Sequence, residues 1–84
     1  MTDIELDILD ELYFPISFDA LKDTLGIEDD VLLKELQGLV KKGWVQCIIP
    51  ESDEIIPITE TSFNNLRQYH YLATKEGLLA HNSK

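Results

Sequence analysis

The sequence is poor in the residue types that build disulfides, metal sites and membrane spans. It contains one cysteine, Cys47, so no internal disulfide can form, and a reducing cytoplasm is the compartment we expect. Its two histidines, His70 and His81, are too few and too scattered for a metal site, which needs about four ligands. Its longest apolar run is far below the roughly 20 residues that span a membrane. The acidic residues 1–5 lack the basic start and the apolar stretch of a secretory signal.

Signatures of catalysis and of cofactor binding are also missing from the sequence. It contains neither a glycine-rich phosphate loop nor the pattern of a catalytic triad. Cys47 would act as a nucleophile only beside a base, which no sequence signal provides, so a buried, small apolar side chain is favoured. His70 stands between two tyrosines and is interpreted as a surface residue of a strand. We therefore expect a protein that is not an enzyme and that binds no cofactor, metal or small molecule.

Basic residues are scarce, and the acidic excess is unevenly distributed. The chain has 7 Lys and Arg against 16 Asp and Glu, for a net charge of −9. Residues 1–30 hold ten acids and one base, Lys22, whereas residues 31–84 hold six acids and six bases. This acidity disfavours polyanionic partners such as DNA, RNA and anionic membranes, although it carries no information about the fold.

The length and the apolar content are those of one small folded domain. The chain has 84 residues, of which 44% are hydrophobic. We expect a single domain over residues 1–84 with a free energy of unfolding of about 5 to 10 kcal/mol. Because this margin is thin, a partner protein or a second copy would matter to its stability.

Local signals predict three helices followed by a strand, a long connection, a second strand and a last short helix. Thr2 and Glu5 have the spacing of a capping box, and Ser17 is a good N-cap. Gly26 and Gly43 stand where helices often end in a left-handed conformation. The helices are predicted over residues 3–13, 18–25, 29–42 and 74–81, and the strands over residues 44–49 and 67–72.

Two stretches resemble a known family. Residues 26–45, GIEDDVLLKELQGLVKKGWV, are similar to the helix-turn-helix core of bacterial winged-helix regulators of the MarR, ArsR and PadR type. Residues 69–77, YHYLATKEG, resemble the return strand and final helix of that family, although Ala73 intervenes before the expected threonine. The resemblance implies an α+β winged helix, with a three-helix core, a small antiparallel β-wing and a short C-terminal helix. It also implies a transcription regulator that binds DNA as a dimer.

The charges depart from the DNA-binding pattern of that family. Its members carry Ser, Thr, Pro or Arg at the start of the third helix, where hydroxyls and backbone N–H groups meet phosphate. The matching residues here are Glu28, Asp29, Asp30 and Val31. A carboxylate about 6 Å from a phosphate costs about 0.7 kcal/mol in water and about 2.8 kcal/mol at an effective dielectric of about 20. The wing region is acidic too, with Arg67 opposed by Glu51, Asp53, Glu54 and Glu60.

Two groups of residues are candidate contact surfaces. The predicted recognition-helix surface consists of Asp29, Asp30, Lys34, Gln37 and Lys41, with Gly38 as either a tolerated surface glycine or a point of close backbone approach. On this helix Lys34 and Gln37 are placed to touch base edges. The predicted apolar interface consists of Trp44, Ile48, Ile55, Ile56 and Ile58. These residues either form an exposed patch that marks a protein contact or are covered when the long connection folds back on Trp44 and Ile48.

The sequence thus supports two hypotheses about function. The first is a non-catalytic interaction module on a winged-helix scaffold, which contacts a protein partner or a second copy. The second is a DNA-binding regulator that works as a dimer and uses Lys34, Gln37, Lys41 and Lys42. The acidic start of the third helix and the acidic wing favour the first hypothesis.

Overall fold

A computed structural model of the protein describes residues 2–52, 54–56 and 63–82. These residues form four α-helices, a four-stranded antiparallel sheet and a 3₁₀ segment. The helices are α1 (Asp3–Asp10), α2 (Phe18–Leu25), α3 (Asp29–Lys42) and α4 (Lys75–Asn82). The strands are β1 (Ile16–Ser17), β2 (Val45–Ile49), β3 (Glu54–Ile56) and β4 (His70–Ala73), and the 3₁₀ segment is Phe63–Gln68.

The predicted caps of the first three helices are confirmed. Thr2 and Glu5 form the capping box of α1, and the Ser17 hydroxyl accepts a hydrogen bond from the Ala20 N–H at 3.1 Å. Gly26 and Gly43 end α2 and α3 in the left-handed conformation, with φ of 65° and 79°. Because these signals act within one turn of backbone, the bounds of α2 and α3 follow from sequence alone.

Helix α1 is shorter than predicted. It ends at Asp10 rather than near Tyr13. The N–H groups of Glu11 and Leu12 donate to the carbonyls of Ile8 and Leu9, three residues back, so the chain leaves the helix through a tighter turn. The carbonyl of Leu12, in this turn, accepts a hydrogen bond from the Ala73 N–H at 2.9 Å. This contact joins the first helix to the sheet.

The sheet has the strand order β1-β4-β2-β3 and is antiparallel throughout. The strand predicted over residues 67–72 is instead the 3₁₀ segment followed by β4, which begins at His70. The buried Tyr71 hydroxyl donates to the carbonyl of Leu66, a residue that is itself buried, and this contact holds the segment against the core. Burial raises the pKa of Tyr71, so the phenol stays a hydrogen-bond donor.

The apolar core lies between the helices and one face of β2 and β4. Val45, Cys47, Tyr71 and Ala73 face it from the sheet, and Cys47 is buried as expected. The helices and the turn after α1 contribute the leucine line of α3, the inner residues of α1 and α2, and Leu12 of that turn, which together are Ile8, Leu9, Leu12, Phe18, Leu21, Leu32, Leu36 and Leu39. The described part of the chain is therefore a small α+β domain. None of its helices is long and apolar enough to cross a membrane.

Candidate interaction surface

The outer surface of α3 carries the residues predicted for the recognition helix. Asp30, Lys34 and Lys41 are exposed, Gln37 is partly exposed, and Val31 adds an apolar side chain that is 42% exposed. The opposite face of the helix is buried through Leu32, Leu36, Leu39 and Val40. The spacing of those buried positions, three or four residues apart, determines which side of α3 meets solvent.

Asp29 differs from the other acids at the start of α3 because two cations hold it. Its Oδ1 lies 3.0 Å from Nζ of Lys22 on α2, and its Oδ2 accepts from the guanidinium of Arg67 in the 3₁₀ segment. The contact with Lys22, and to a smaller extent that with Arg67, lowers the pKa of the Asp29 carboxyl. Asp29 in turn raises the pKa of Lys22. Both partners are thus held in their charged forms.

Glu28 and Asp30 leave their carboxylates at the surface. Glu28 is the N-cap residue of α3, but its side chain makes no capping hydrogen bond. Asp30, two residues further, is also exposed. Two negative charges therefore flank Asp29 at the end of the helix where a DNA-binding helix would approach phosphate.

Lys42, at the other end of α3, has partners outside that helix. Its Nζ donates to the buried carboxylate of Glu5 on α1 and lies 4.8 Å from the ring centroid of Trp44. The hydrogen bond from Lys42, followed by that from the Thr2 N–H, lowers the pKa of Glu5. Lys42, which the DNA-binding hypothesis uses, is thus paired with an acid although its side chain is 46% exposed.

The β2–β3 hairpin presents acids rather than bases in its described part. Glu51 and Glu54 are exposed near its turn, and Glu54 pairs with Ile49. Asp53 and Glu60 lie outside the described residues. Arg67, the one base predicted for this region, contacts Asp29 and lies over the Phe18 ring at 5.5 Å from its centroid. The described part of the hairpin therefore adds exposed acids to those at the start of α3.

The described residues of the predicted apolar interface differ in how far they are exposed to solvent. Ile48 is only 6% exposed, which agrees with the alternative in which this residue is covered rather than part of an exposed patch. Its cross-strand partners are Ile55 and His70. Trp44 and Ile56 are half-buried and pack against the core, whereas Ile55 is 58% exposed. Ile58 lies outside the described residues.

Besides Val31, the described residues include three exposed apolar side chains that were not predicted as contact residues. Phe14 is 79% exposed directly after the end of α1, and Tyr13 and Leu79 are also exposed. The position of Phe14 before Pro15, which disfavours helical backbone at Phe14, is the sequence signal that would have marked it.

A polar cluster joins α1 to α4 beside Tyr13. The Tyr13 hydroxyl lies 3.1 Å from His81 Nδ1 and donates to the Asn82 side chain at 3.4 Å. The other ring nitrogen of His81, Nε2, contacts the carboxylate of Asp10. His70, in β4, is half-buried on the sheet face opposite the core. Nothing in the sequence pattern indicated that His81 meets Asp10, because 71 residues separate them.

Within the described ranges, no group of three or more His, Cys, Asp or Glu residues is arranged to hold a metal ion. Comparison with known protein families, with curated proteins and with solved structures gives no match.

Proposed function

We propose that the chain is a non-catalytic winged-helix domain of the bacterial regulator type that binds a protein rather than DNA. In this proposal α2 and α3 form the helix-turn-helix, the β2–β3 hairpin begins the wing, and β4 and α4 complete the fold. The order of the elements and the glycines after α2 and α3 support this assignment. The partner is another protein or a second copy of the chain, in the cytoplasm.

One observation carries the preference for protein over DNA: the exposed carboxylates of Glu28 and Asp30 at the start of α3. Two carboxylates at about 6 Å from a phosphate cost about 1.4 kcal/mol together even at the dielectric of water, which is about tenfold in affinity. Glu51 and Glu54 on the hairpin extend the same repulsion. A duplex that approached α3 in the usual way would meet negative charge at both places.

The positions of the basic residues support the proposal. Lys42 is paired with Glu5, and both Lys22 and Arg67 are paired with Asp29. Each of these pairs reduces the attraction that the cation exerts on a phosphate. Lys34 and Lys41 are the bases on the outer side of α3, where Asp30 shares their surface.

Exposed apolar side chains on α3 and on the hairpin support a protein contact. Val31 follows Asp30 on α3 and is partly exposed, and Ile55 projects from the hairpin. Apolar side chains ringed by charged residues are typical of protein interfaces, in which the buried centre is apolar and the rim is polar. The mixed surface of α3 therefore suits a protein better than a uniform polyanion.

The proposal is tested by titrating the protein with mixed duplex DNA at about 50 mM and about 200 mM salt, since phosphate contacts make affinity fall steeply with salt. We expect the wild type to bind at the lower salt no more tightly than the weak end of non-specific binding, with a Kd of about 10⁻⁴ M. The double variant Glu28→Gln, Asp30→Asn should gain at least about tenfold in affinity over wild type, because it removes the local repulsion. A matched control, Asp7→Asn with Glu76→Gln, changes two exposed acids elsewhere and should gain less.

Tight wild-type binding at the lower salt that weakens steeply at the higher salt would contradict the proposal. The second candidate, a DNA-binding dimer that uses Lys34, Gln37 and Lys41, would then be favoured, since these residues do lie on the outer side of α3. Light scattering on the same samples distinguishes a monomer from a dimer and shows whether a second copy is the protein partner.

A further inference from the structure

The Asp29 carboxylate lies at the junction of three elements and accepts one cation on each oxygen. Lys22 comes from α2, Arg67 comes from the 3₁₀ segment, and Asp29 itself is the first residue of α3. The 3₁₀ segment packs against both α2 and α3, which brings Arg67 to the start of α3 although 38 residues separate it from Asp29. Two cations thus converge at a helix start, the part of the fold where anions are favoured.

We propose that Asp29 is an internal counter-anion that withholds Lys22 and Arg67 from phosphate, so that the start of α3 carries a masked phosphate-binding pair. This inference rests on the proposed function, since it explains one part of the exclusion of DNA from α3. The Asp29 carboxylate neutralises the two cations that would otherwise attract a phosphate. The contact is therefore autoinhibitory towards polyanions.

The two cations are accessible enough for an external anion to reach them. The side chains of Lys22 and Arg67 are 41% and 52% exposed, so both reach the surface of the domain. The Arg67 guanidinium is further restrained by the Phe18 ring below it. Because both cations are paired with one carboxylate near the surface, the loss of its charge would leave both of them available to the same phosphate.

Other acidic residues lie near Lys22 and Asp29, and they affect DNA binding in any test of this proposal. Asp19 and Asp23 are exposed on α2 close to Lys22, and Glu28 and Asp30 flank Asp29 on α3. If Asp29 alone lost its charge in an otherwise wild-type protein, these acids would still repel a phosphate. The double variant Glu28→Gln, Asp30→Asn removes the two acidic charges next to Asp29 in the chain. It is therefore the parent protein for the test.

The experiment adds Asp29→Asn to this parent and measures the affinity for mixed duplex DNA over a range of salt concentrations. Asparagine keeps the size of the side chain and removes its charge. Two freed cations should make the slope of log affinity against log salt steeper by about 1.8, because each phosphate contact contributes about 0.9. The matched control adds Asp7→Asn, which removes one exposed charge from α1 and should leave the slope unchanged.

A slope for the Asp29→Asn protein equal to that of the Asp7→Asn control would overturn the inference, as would a complete lack of DNA binding. Arg67→Gln added to the unmasked protein should reduce the slope again by about 0.9. If circular dichroism shows that Asp29→Asn does not fold, Lys22→Gln in the parent supplies the test. That change should leave the slope as it is, because a masked cation makes no phosphate contact, and a shallower slope would overturn the inference.

Failure of this inference is distinguishable from failure of the proposed function. DNA binding by the wild type bears on the proposed function. The difference in salt slope between the parent with Asp29→Asn and the parent with Asp7→Asn tests only whether Asp29 masks the two cations.

Discussion

At the scale of single residues, Glu5 shows how one side chain can serve both a local and a tertiary role. It is 5% exposed, and its carboxylate accepts from the Thr2 N–H at 3.0 Å and from Lys42 Nζ. The first contact completes the capping box that starts α1, and the second joins α1 to the end of α3. Burial of a carboxylate is tolerated here because both of its oxygens are hydrogen-bonded.

Glu5→Gln separates these two roles, since glutamine retains the capping position but carries no charge. We expect a loss of about 1 kcal/mol in the free energy of unfolding near neutral pH, a small value because the Lys42 side chain is 46% exposed. The folded state lowers the pKa of Glu5 below its ordinary value of 4.5. The contribution is therefore full above that value and is lost as the pH falls through the lower folded pKa.

The measurement is urea unfolding of wild type and Glu5→Gln at several pH values from neutral to strongly acidic. The difference between the two proteins should disappear on the acid side. Asp7→Asn, a change at an exposed acid of the same helix, serves as the control and should have little effect at any pH. A Glu5→Gln effect that stays constant across the range would show that the charge of Glu5 contributes nothing to stability.

At the scale of elements, α4 is attached to the domain through a close backbone contact at Gly77. A Cβ on Gly77 would lie 2.0 Å from the carbonyl oxygen of Trp44 and 2.9 Å from its carbon. The same Trp44 oxygen accepts a hydrogen bond from the Thr74 N–H at 2.9 Å, which fixes the start of α4 against the start of β2. The absence of a side chain is therefore what allows α4 to reach this position.

Gly77→Ala should lower the free energy of unfolding by about 2 kcal/mol, because the clash with rigid backbone exceeds the helix-propensity gain of alanine. Gly38→Ala is the matched control within a helix. A Cβ there meets nothing within 4 Å, so the variant should be more stable by up to about 1 kcal/mol. Chemical unfolding of both variants gives the comparison. Equal stabilisation by the two changes would show that α4 does not pack closely on Trp44.

Gly38→Ala also tests the alternative interpretations of that glycine. If Gly38 is a tolerated surface residue, the alanine variant keeps its partner binding and gains only stability. If another backbone approaches α3 closely, the added methyl group weakens partner binding while the free domain becomes more stable. The open space around Gly38 is compatible with both, so the partner complex provides the decisive measurement.

At the scale of the whole molecule, the charge imbalance should govern the response to salt. The net charge is −9, and the acidic excess is confined to residues 1–30. Self-repulsion of this kind destabilises a compact state, and salt screens it. The ion pairs of Lys22, Lys42 and Arg67 act in the opposite sense, but each of them involves a partly exposed side chain and is worth little.

We therefore expect the thermal unfolding midpoint to rise by a few degrees between about 20 mM and about 200 mM sodium chloride. Differential scanning calorimetry at constant pH measures this rise. The double variant Asp7→Asn, Glu76→Gln has less repulsion to screen, so it should show a smaller increase. A midpoint that falls with salt would mean that the ion pairs outweigh the repulsion.

Sequence alone determined the parts of this protein that depend on neighbouring residues. The capping box of α1, the bounds of α2 and α3, and the buried leucine line of α3 all arise from signals that act within a turn or two of chain. The acidic character of the α3 start was also evident, since a charge is read directly from the residue type. The burial of Cys47 followed from its place in an apolar strand.

Tertiary structure decided which charges and apolar groups remain available at the surface. The partner of Lys42 lies 37 residues away along the chain and that of Arg67 lies 38 residues away, so no local pattern contains either pair. The turn after α1 is bonded to β4 through the Leu12 carbonyl, and Ile48 is buried in the strand between β3 and β4. Local signals reach a few residues, whereas these outcomes depend on distances that exist only after the helices have packed on the sheet.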